Sequence, residues 1–361
     1  LGGAGNSSAS ITNGMKEANL ANPNITWYKV MTTNVGLDGS FWGGKLSFEF
    51  DYFYRKTTGY PATRNTSLPT TSGIPLPQEN LNSSDNRGFE LVLTHHNCIK
   101  NFSYNVRGNI SWARNKILKM TEDPNVPNYM RSTGRPMGEY WGFVAEGLFQ
   151  TEEEIAHSAV YGPTLPGDIK LKDINGDGKI TYDQDRVPIG RSSTPEMMFG
   201  LNIGAEWKGI DFSMLWQGAA LFDVNLCGMY ANVGYDNTFY TKPFYCDGNT
   251  PYYLVENSWR PDNPDAEYPR LGIVSRDNGG KMSSWWVENG TYIRLKSMQI
   301  GYTLPSQWVT PAGIKKVRFY VSGGNLLTFS HLKHLDPEMP SVNQGYYPQQ
   351  RTYELGLNVT F

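Results

Sequence analysis

The chain has 361 residues, a net charge of -2, 18% charged residues and 13% aromatic residues. So sparse and balanced a charge excludes a surface built to hold nucleic acid, and no stretch approaches the ~20 consecutive apolar residues of a membrane helix. The three cysteines, Cys98, Cys227 and Cys246, are too few for a disulfide scaffold and lack metal-ligand spacing. A Cys227–Cys246 bridge and free thiols both stay open.

The opening LGGAGNSSAS has neither a basic start nor an apolar run, so it reads as the middle of a longer precursor. A first strand is expected around 28–38. In KLSFEFDYFYR, Leu46, Phe48, Phe50, Tyr52 and Tyr54 share one face, and Lys45, Ser47, Glu49, Asp51 and Arg55 share the other. A turn-rich excursion over 58–85 leads to a strand at 86–96. FSYNVRGNISWA alternates more sharply, with Phe102, Tyr104, Val106, Ile110 and Trp112 set against Ser103, Asn105, Arg107, Asn109 and Ser111. A second excursion, 118–135, precedes an expected strand at 136–149, and a third covers 150–195. MFGLNIGAEW and IDFSMLWQG read as a hairpin turning at Lys208-Gly209. After the excursion 220–283, strands are expected at 290–304 and 316–328. Their apolar phase slips near Lys296–Met298 and near Gly323-Gly324, where a bulge or glycine kink would explain it. TYELGLNVTF closes the chain with Tyr353, Leu355, Leu357, Val359 and Phe361 on one face.

The expectation is an all-β, antiparallel transmembrane β-barrel segment of about ten strands, each near the ~10 residues a tilted strand needs to cross a bilayer. In a soluble sandwich the outward face is polar because water touches it. Here the polar face carries Glu, Asp, Arg and Asn, while the apolar faces begin and end in Tyr, Trp or Phe, as at the two lipid–water interfaces of a barrel. Short connections such as Lys208-Gly209 and Pro305–Lys315 then lie on the periplasmic side, and the long ones outside the cell.

The most chemically specific motif runs from Asp173 to Asp185. Asp173, Asn175 and Asp177 alternate oxygen side chains, a glycine allows a sharp turn, and Lys179 offers a backbone carbonyl, as in a calcium loop. Gln184 stands where a bidentate acid is usual, with Asp183 or Asp185 able to substitute. The expected cofactor is Ca2+, stiffening an extracellular loop at 167–190; the alternative is an acidic turn without an ion. Loop aromatics Trp259, Trp285, Tyr252 and Tyr346 are candidate substrate contacts, set against plain loop packing. His331 and His334 near Asp336 and Glu338 read as a solvated turn rather than a metal or acid–base group. No Ser/His/Asp spacing, phosphate loop or carboxylate pair stands out, so no enzyme is expected. Phe361, ending an alternating strand, resembles the signal read by the outer-membrane barrel assembly machinery.

Several segments, in order, resemble the C-terminal half of SusC/RagA-type TonB-dependent outer-membrane transporters. These are NVGLDGSF at 34–41, DYFYRKT at 51–57, GLFQ at 147–150, GDIKLKDINGDGKITYDQDRVPIG at 167–190, SMLWQG at 213–218, SSWWVENGTYIRLKSMQIGYTLP at 283–305 and VRFYVSGGNLLTFS at 317–330. The resemblance implies roughly half of a plugged barrel of about 22 strands, with the plug and the TonB-contact segment lying elsewhere. It also implies TonB-dependent uptake of oligosaccharides or oligopeptides at the outer membrane of a Gram-negative bacterium. The implied partners are a SusD-like surface lipoprotein and the TonB–ExbB–ExbD system. A secreted, soluble β-rich glycan-binding protein is the second reading; the near-clean apolar faces at 102–112 and 353–361 argue against it. A passive porin would differ only in lacking plug and TonB contact.

Overall fold

The computed structural model describes residues 21–64, 76–227, 252–271, 281–338 and 349–361. Fifteen strands are described: β1 (Lys29–Phe41), β2 (Leu46–Thr63), β3 (Gln78–Ile99), β4 (Phe102–Lys119), β5 (Tyr140–Gly142), β6 (Ala145–Leu148), β7 (Ile169–Leu171), β8 (Val187–Gly190), β9 (Met197–Trp207), β10 (Ile210–Ala220), β11 (Asp223–Asn225), β12 (Val287–Asn289), β13 (Tyr292–Thr303), β14 (Lys316–Ser330) and β15 (Thr352–Thr360). Nine form one antiparallel sheet in the order β1-β2-β3-β4-β9-β10-β13-β14-β15, so every neighbour in the sheet is the next long strand in sequence. That meander makes the two rims unequal. Connections at 42–45, 100–101, 208–209 and 304–315 share one rim, and the excursions 64–77, 120–196, 221–291 and 331–351 share the other.

Cross-strand register carries each apolar row across the sheet. Phe102 faces Trp207, which faces Ile210, then Tyr302, Phe319 and Leu357. Two residues further from the short-turn rim, Tyr104 leads to Ala205, Phe212, Ile300, Val321 and Leu355. The next row is Val106, Ile203, Met214 and Met298. The opposite face carries Arg107 beside Asn202, Asn105 beside Gly204, and Asp211 beside Gly301. There Arg318 Nε lies 2.8 Å from Asp211 Oδ2, and its Nη2 donates to Gln299 Oε1 at 2.8 Å.

Both phase slips are bulges. Pairing between β13 and β14 jumps from Leu295↔Leu327 to Ser297↔Gly324. Across that step one residue of β13, Lys296, stands against two of β14, Asn325 at φ 53 and Leu326; against β10, Lys296 is itself the extra residue. Asparagine tolerates this left-handed backbone better than most residues.

Two expectations are corrected. The stretch 58–85 is not a free excursion, because β2 and β3 run on as a paired ribbon of 18 and 22 residues. There small polar residues pack on one another, with Thr57, Ser84 and Asp85 buried, so the alternation that marks a spanning strand is lost. The stretch 136–149 is not a strand of the large sheet. It splits into β5 and β6, which pair with β8 and β7 in two small sheets. Its apolar residues run consecutively because the segment is buried on both sides: Phe143 is 2% exposed, Leu148 8% and Phe149 0%.

Candidate functional site

Among the described residues most of the buried core lies above the sheet, in the long-loop layer. One cluster unites Phe143, Ile169 and Leu171 from the β4–β9 excursion with Phe222, Val224, Leu254 and Trp286 from the β10–β13 excursion and Leu332 from beyond β14. Backbone pairing reinforces it. β11 pairs with β12, Phe143 bridges to Ser283, and Leu226 N donates to Trp286 O at 2.7 Å. Three connections widely separated in sequence thus form one packed cap on the rim.

Side chains fix the cap to the wall. Arg294 of β13 projects from a strand flanked by the buried Tyr292 and Leu295. Its Nη2 lies 2.8 Å from Asp336 Oδ1, its Nη1 2.9 Å from Glu338 Oε2, and its Nε donates to Thr328 Oγ1 at 2.9 Å. Lys296 Nζ adds a contact to Glu338 Oε2 at 2.9 Å. Side-chain exposure is 4% for Arg294 and 9% for Asp336. The expected solvated turn around His331, His334, Asp336 and Glu338 is therefore corrected: the acids sit in a buried ionic network, and His334 stacks on Tyr253 with ring centroids 3.8 Å apart. Partners 42 residues away are not visible by local spacing. The available signal was two cations, Arg294 and Lys296, alternating with Ile293 and Leu295 in the first half of β13.

The described candidate substrate aromatics sit in different settings. Trp259 is half-buried against the core, donates from Nε1 to Gln150 Oε1 at 2.9 Å, and lies so close to Gly167 that a Cβ there would meet its ring at 2.3 Å. Trp285 also packs against the core cluster. Tyr252 is 76% exposed at the start of a short helix, Tyr252–Glu256. Tyr346 lies outside the described residues. Trp259 and Trp285 thus pack on the cap while staying half-exposed, and Tyr252 presents an open ring.

The 167–190 segment folds as a tight polar loop. Asp173 accepts from Gly176 N at 2.6 Å and Gly178 N at 2.7 Å. The Gly178 N–H, foremost among its backbone donors, holds the carboxyl below its ordinary range. Asn175 Nδ2 lies 3.0 Å from Asp177 Oδ2 and 3.1 Å from Gln184 Oε1. Gly176 and Gly178 take φ +77 and +82, which a side chain would resist. Asp185 is buried and committed to the backbone, accepting from Ile174 N at 2.9 Å and Thr181 N at 2.7 Å. Asp183 is exposed, and the Lys179 backbone N–H is spent on Asp177 Oδ1 at 2.9 Å. Among the described residues no three His, Cys, Asp or Glu side chains are placed to hold one ion. The carboxylates facing the loop are Asp173 and Asp177, joined by the amides of Asn175 and Gln184.

Cys227 is buried in the cap, and burial pushes its thiol up to about 12. Cys246 lies outside the described residues, and with it the question of a bridge. At the short-turn rim Phe361 is 75% exposed at the end of β15, whose Thr360 O accepts from Lys315 N at 2.8 Å.

A nine-strand antiparallel meander with one plain rim and one elaborated rim is the arrangement of a barrel wall. The sequence profile described as TonB dependent receptor-like, beta-barrel matches residues 2–326. The chain belongs to that family. TonB-dependent receptor P26 of Formosa agariphila is 30% identical over 377 residues, covering 97% of this chain and 37% of that protein. TonB-dependent receptor SusC of Bacteroides thetaiotaomicron is 24% identical, covering 94% of this chain and 32% of its own length. This chain thus spans about a third of the curated relatives it matches. In fold it is similar to the structure of the RagAB peptide transporter, with a TM-score of 0.68 at 23% identity, covering 99% of this chain and 38% of that one. The family is one of outer-membrane receptors and transporters of Gram-negative bacteria, not of enzymes. This sets aside the secreted, soluble glycan-binding reading.

Proposed function

We propose that the chain is the C-terminal wall and cap of an outer-membrane importer that takes up oligosaccharides or oligopeptides. A plug carried on further polypeptide is released through the TonB–ExbB–ExbD system, and a SusD-like surface lipoprotein closes over the capped rim. The observation that carries this reading is the packed cap itself. A pore of passive type needs only loops, whereas three excursions sharing one core make a stiff rim against which a lid can seat. The similarity to the RagAB peptide transporter supports the peptide class, and the oligosaccharide class stands beside it on the family resemblance. Phe361, exposed just after β15, is proposed as the contact with the barrel assembly machinery. The test is uptake of labelled maltooligosaccharides and of mixed oligopeptides by cells carrying the full-length protein, with and without TonB. Accumulation that continues at the same rate without TonB refutes active import.

The loop 173–185 is proposed as a Ca2+ site. The support is the convergence of Asp173, Asn175, Asp177 and Gln184, with an amide flip of Asn175 turning its oxygen inward. A bound ion would neutralise Asp173 and Asp177 and stiffen the loop. Protease resistance of the loop should rise with calcium in the wild type and not in Asp173→Asn/Asp177→Asn; an equal rise in both removes the ion.

A further inference from the structure

The outward face of β2, β3 and β4 changes character over three successive register rows. Tyr52, Phe89 and Trp112 stand side by side, with Phe89 and Trp112 centroids 6.0 Å apart. This is an aromatic row of the kind that settles at the lipid–water interface. One step of two residues away from the short turns, roughly 7 Å along the strand, the row reads Tyr54, Arg87, Arg114. One step further it reads Lys56, Asp85, Lys116. The cations therefore lie at the depth of the outer-leaflet headgroups, on the side that faces lipid.

These cations are not spent on each other's neighbours. Arg114 leans over Trp112, 5.9 Å from its ring, and is paired with Glu196 at 2.7 Å. Lys56, Arg87 and Lys116 form no ion pair among the described residues. The one carboxylate between them, Asp85, is buried at 6% exposure, with Tyr54 Oη 3.5 Å from its Oδ2 and its Oδ1 unpartnered. Three unpaired cations thus surround one sunken acid, directly above an aromatic row.

We propose that Lys56, Arg87 and Lys116 form a docking surface for the phosphate-bearing headgroup of an outer-leaflet lipid, whose acyl chains lie on the apolar rows below. Charge complementarity selects the headgroup, and the aromatic row fixes its depth. The lipid would clamp the base of the tall β2–β3 ribbon to the membrane surface.

The test uses the full-length barrel purified in detergent, with bound lipid counted by native mass spectrometry against diphosphoryl lipid A. Wild type should bind one lipid that Lys56→Gln/Arg87→Gln/Lys116→Gln loses by roughly a hundredfold in affinity, each cation near an anionic surface contributing roughly fivefold. Lys45→Gln, which removes one charge beside the short-turn rim as Arg87→Gln does within the site, should leave binding intact. Equal binding by the triple variant, or equal loss in Lys45→Gln, overturns the assignment. So does equal binding of dephosphorylated lipid A. Displacement of the lipid by inorganic phosphate alone would make this a soluble-anion site and overturn the lipid docking. If the triple variant does not show the heat-dependent gel shift of a folded barrel, Arg87→Gln alone carries the test, with roughly a fivefold loss expected.

Discussion

Arg294 shows how one side chain can hold a loop to a wall. Its guanidinium meets Asp336, Glu338 and Thr328 at once, with almost no water contact. Replacing a buried pair by well-packed apolar groups is often neutral, but removing one partner strands the other charge. Arg294→Ala leaves Glu338 with Lys296 alone and Asp336 with no cation, and a loss of about 3–5 kcal/mol is expected. Arg294→Lys should recover part of it, because an ammonium supplies charge without the bidentate fork. Limited proteolysis of residues 331–338 in the folded barrel reads the effect: cleavage should be fastest in Ala and intermediate in Lys. Identical cleavage in all three proteins would show that the network does not hold the loop.

At the scale of elements, the Lys208-Gly209 turn is one of the sheet's two two-residue turns, with 100–101. Lys208 has φ 47 and Gly209 φ 87, the paired left-handed conformation whose twist suits a two-residue hairpin. Gly209→Val meets two costs, a left-handed backbone at about 1–2 kcal/mol and a Cβ that would lie 2.7 Å from Thr303 O. Refolding into lipid should be slower and the urea midpoint lower; Lys208→Asn should shift the midpoint slightly upward, since asparagine accepts this conformation. The turn was legible because two sharply alternating strands flank it, and so were nine of the strands that surround it. What escaped was set by tertiary context. Alternation needs lipid on one side and a wet interior on the other, so it vanishes in the ribbon of β2 and β3 above the membrane. It vanishes again in β5 and β6, where Phe143 and Phe149 are enclosed by other loops. For the same reason the sequence left loop packing and ligand contact both open at Trp259 and Trp285: an aromatic packed on a loop layer and one offered to a ligand have the same local sequence, and only the convergence of three excursions shows what their rings lie against.

For the molecule as a whole, the central claim is that the sheet has two different solvents. Along β9, Phe199, Leu201, Ile203, Ala205 and Trp207 face one way, and Gly200, Asn202, Gly204 and Glu206 the other. Ile203 lies midway between the aromatic ends of that face and beside Val106 and Met214. Asn202 is its sequence neighbour but sits beside Arg107 on the opposite face. A lysine at either position adds the same charge and the same length, so their difference isolates the medium. Ile203→Lys should cost about 2–4 kcal/mol, the range for a cation at the bilayer midplane, while the lumen face tolerates the change. Folding equilibria of the full-length barrel into lipid vesicles, with urea as denaturant, measure both. If Asn202→Lys proved as costly as Ile203→Lys, the two faces would share one environment, and a wall between hydrocarbon and a wet interior would not describe this sheet.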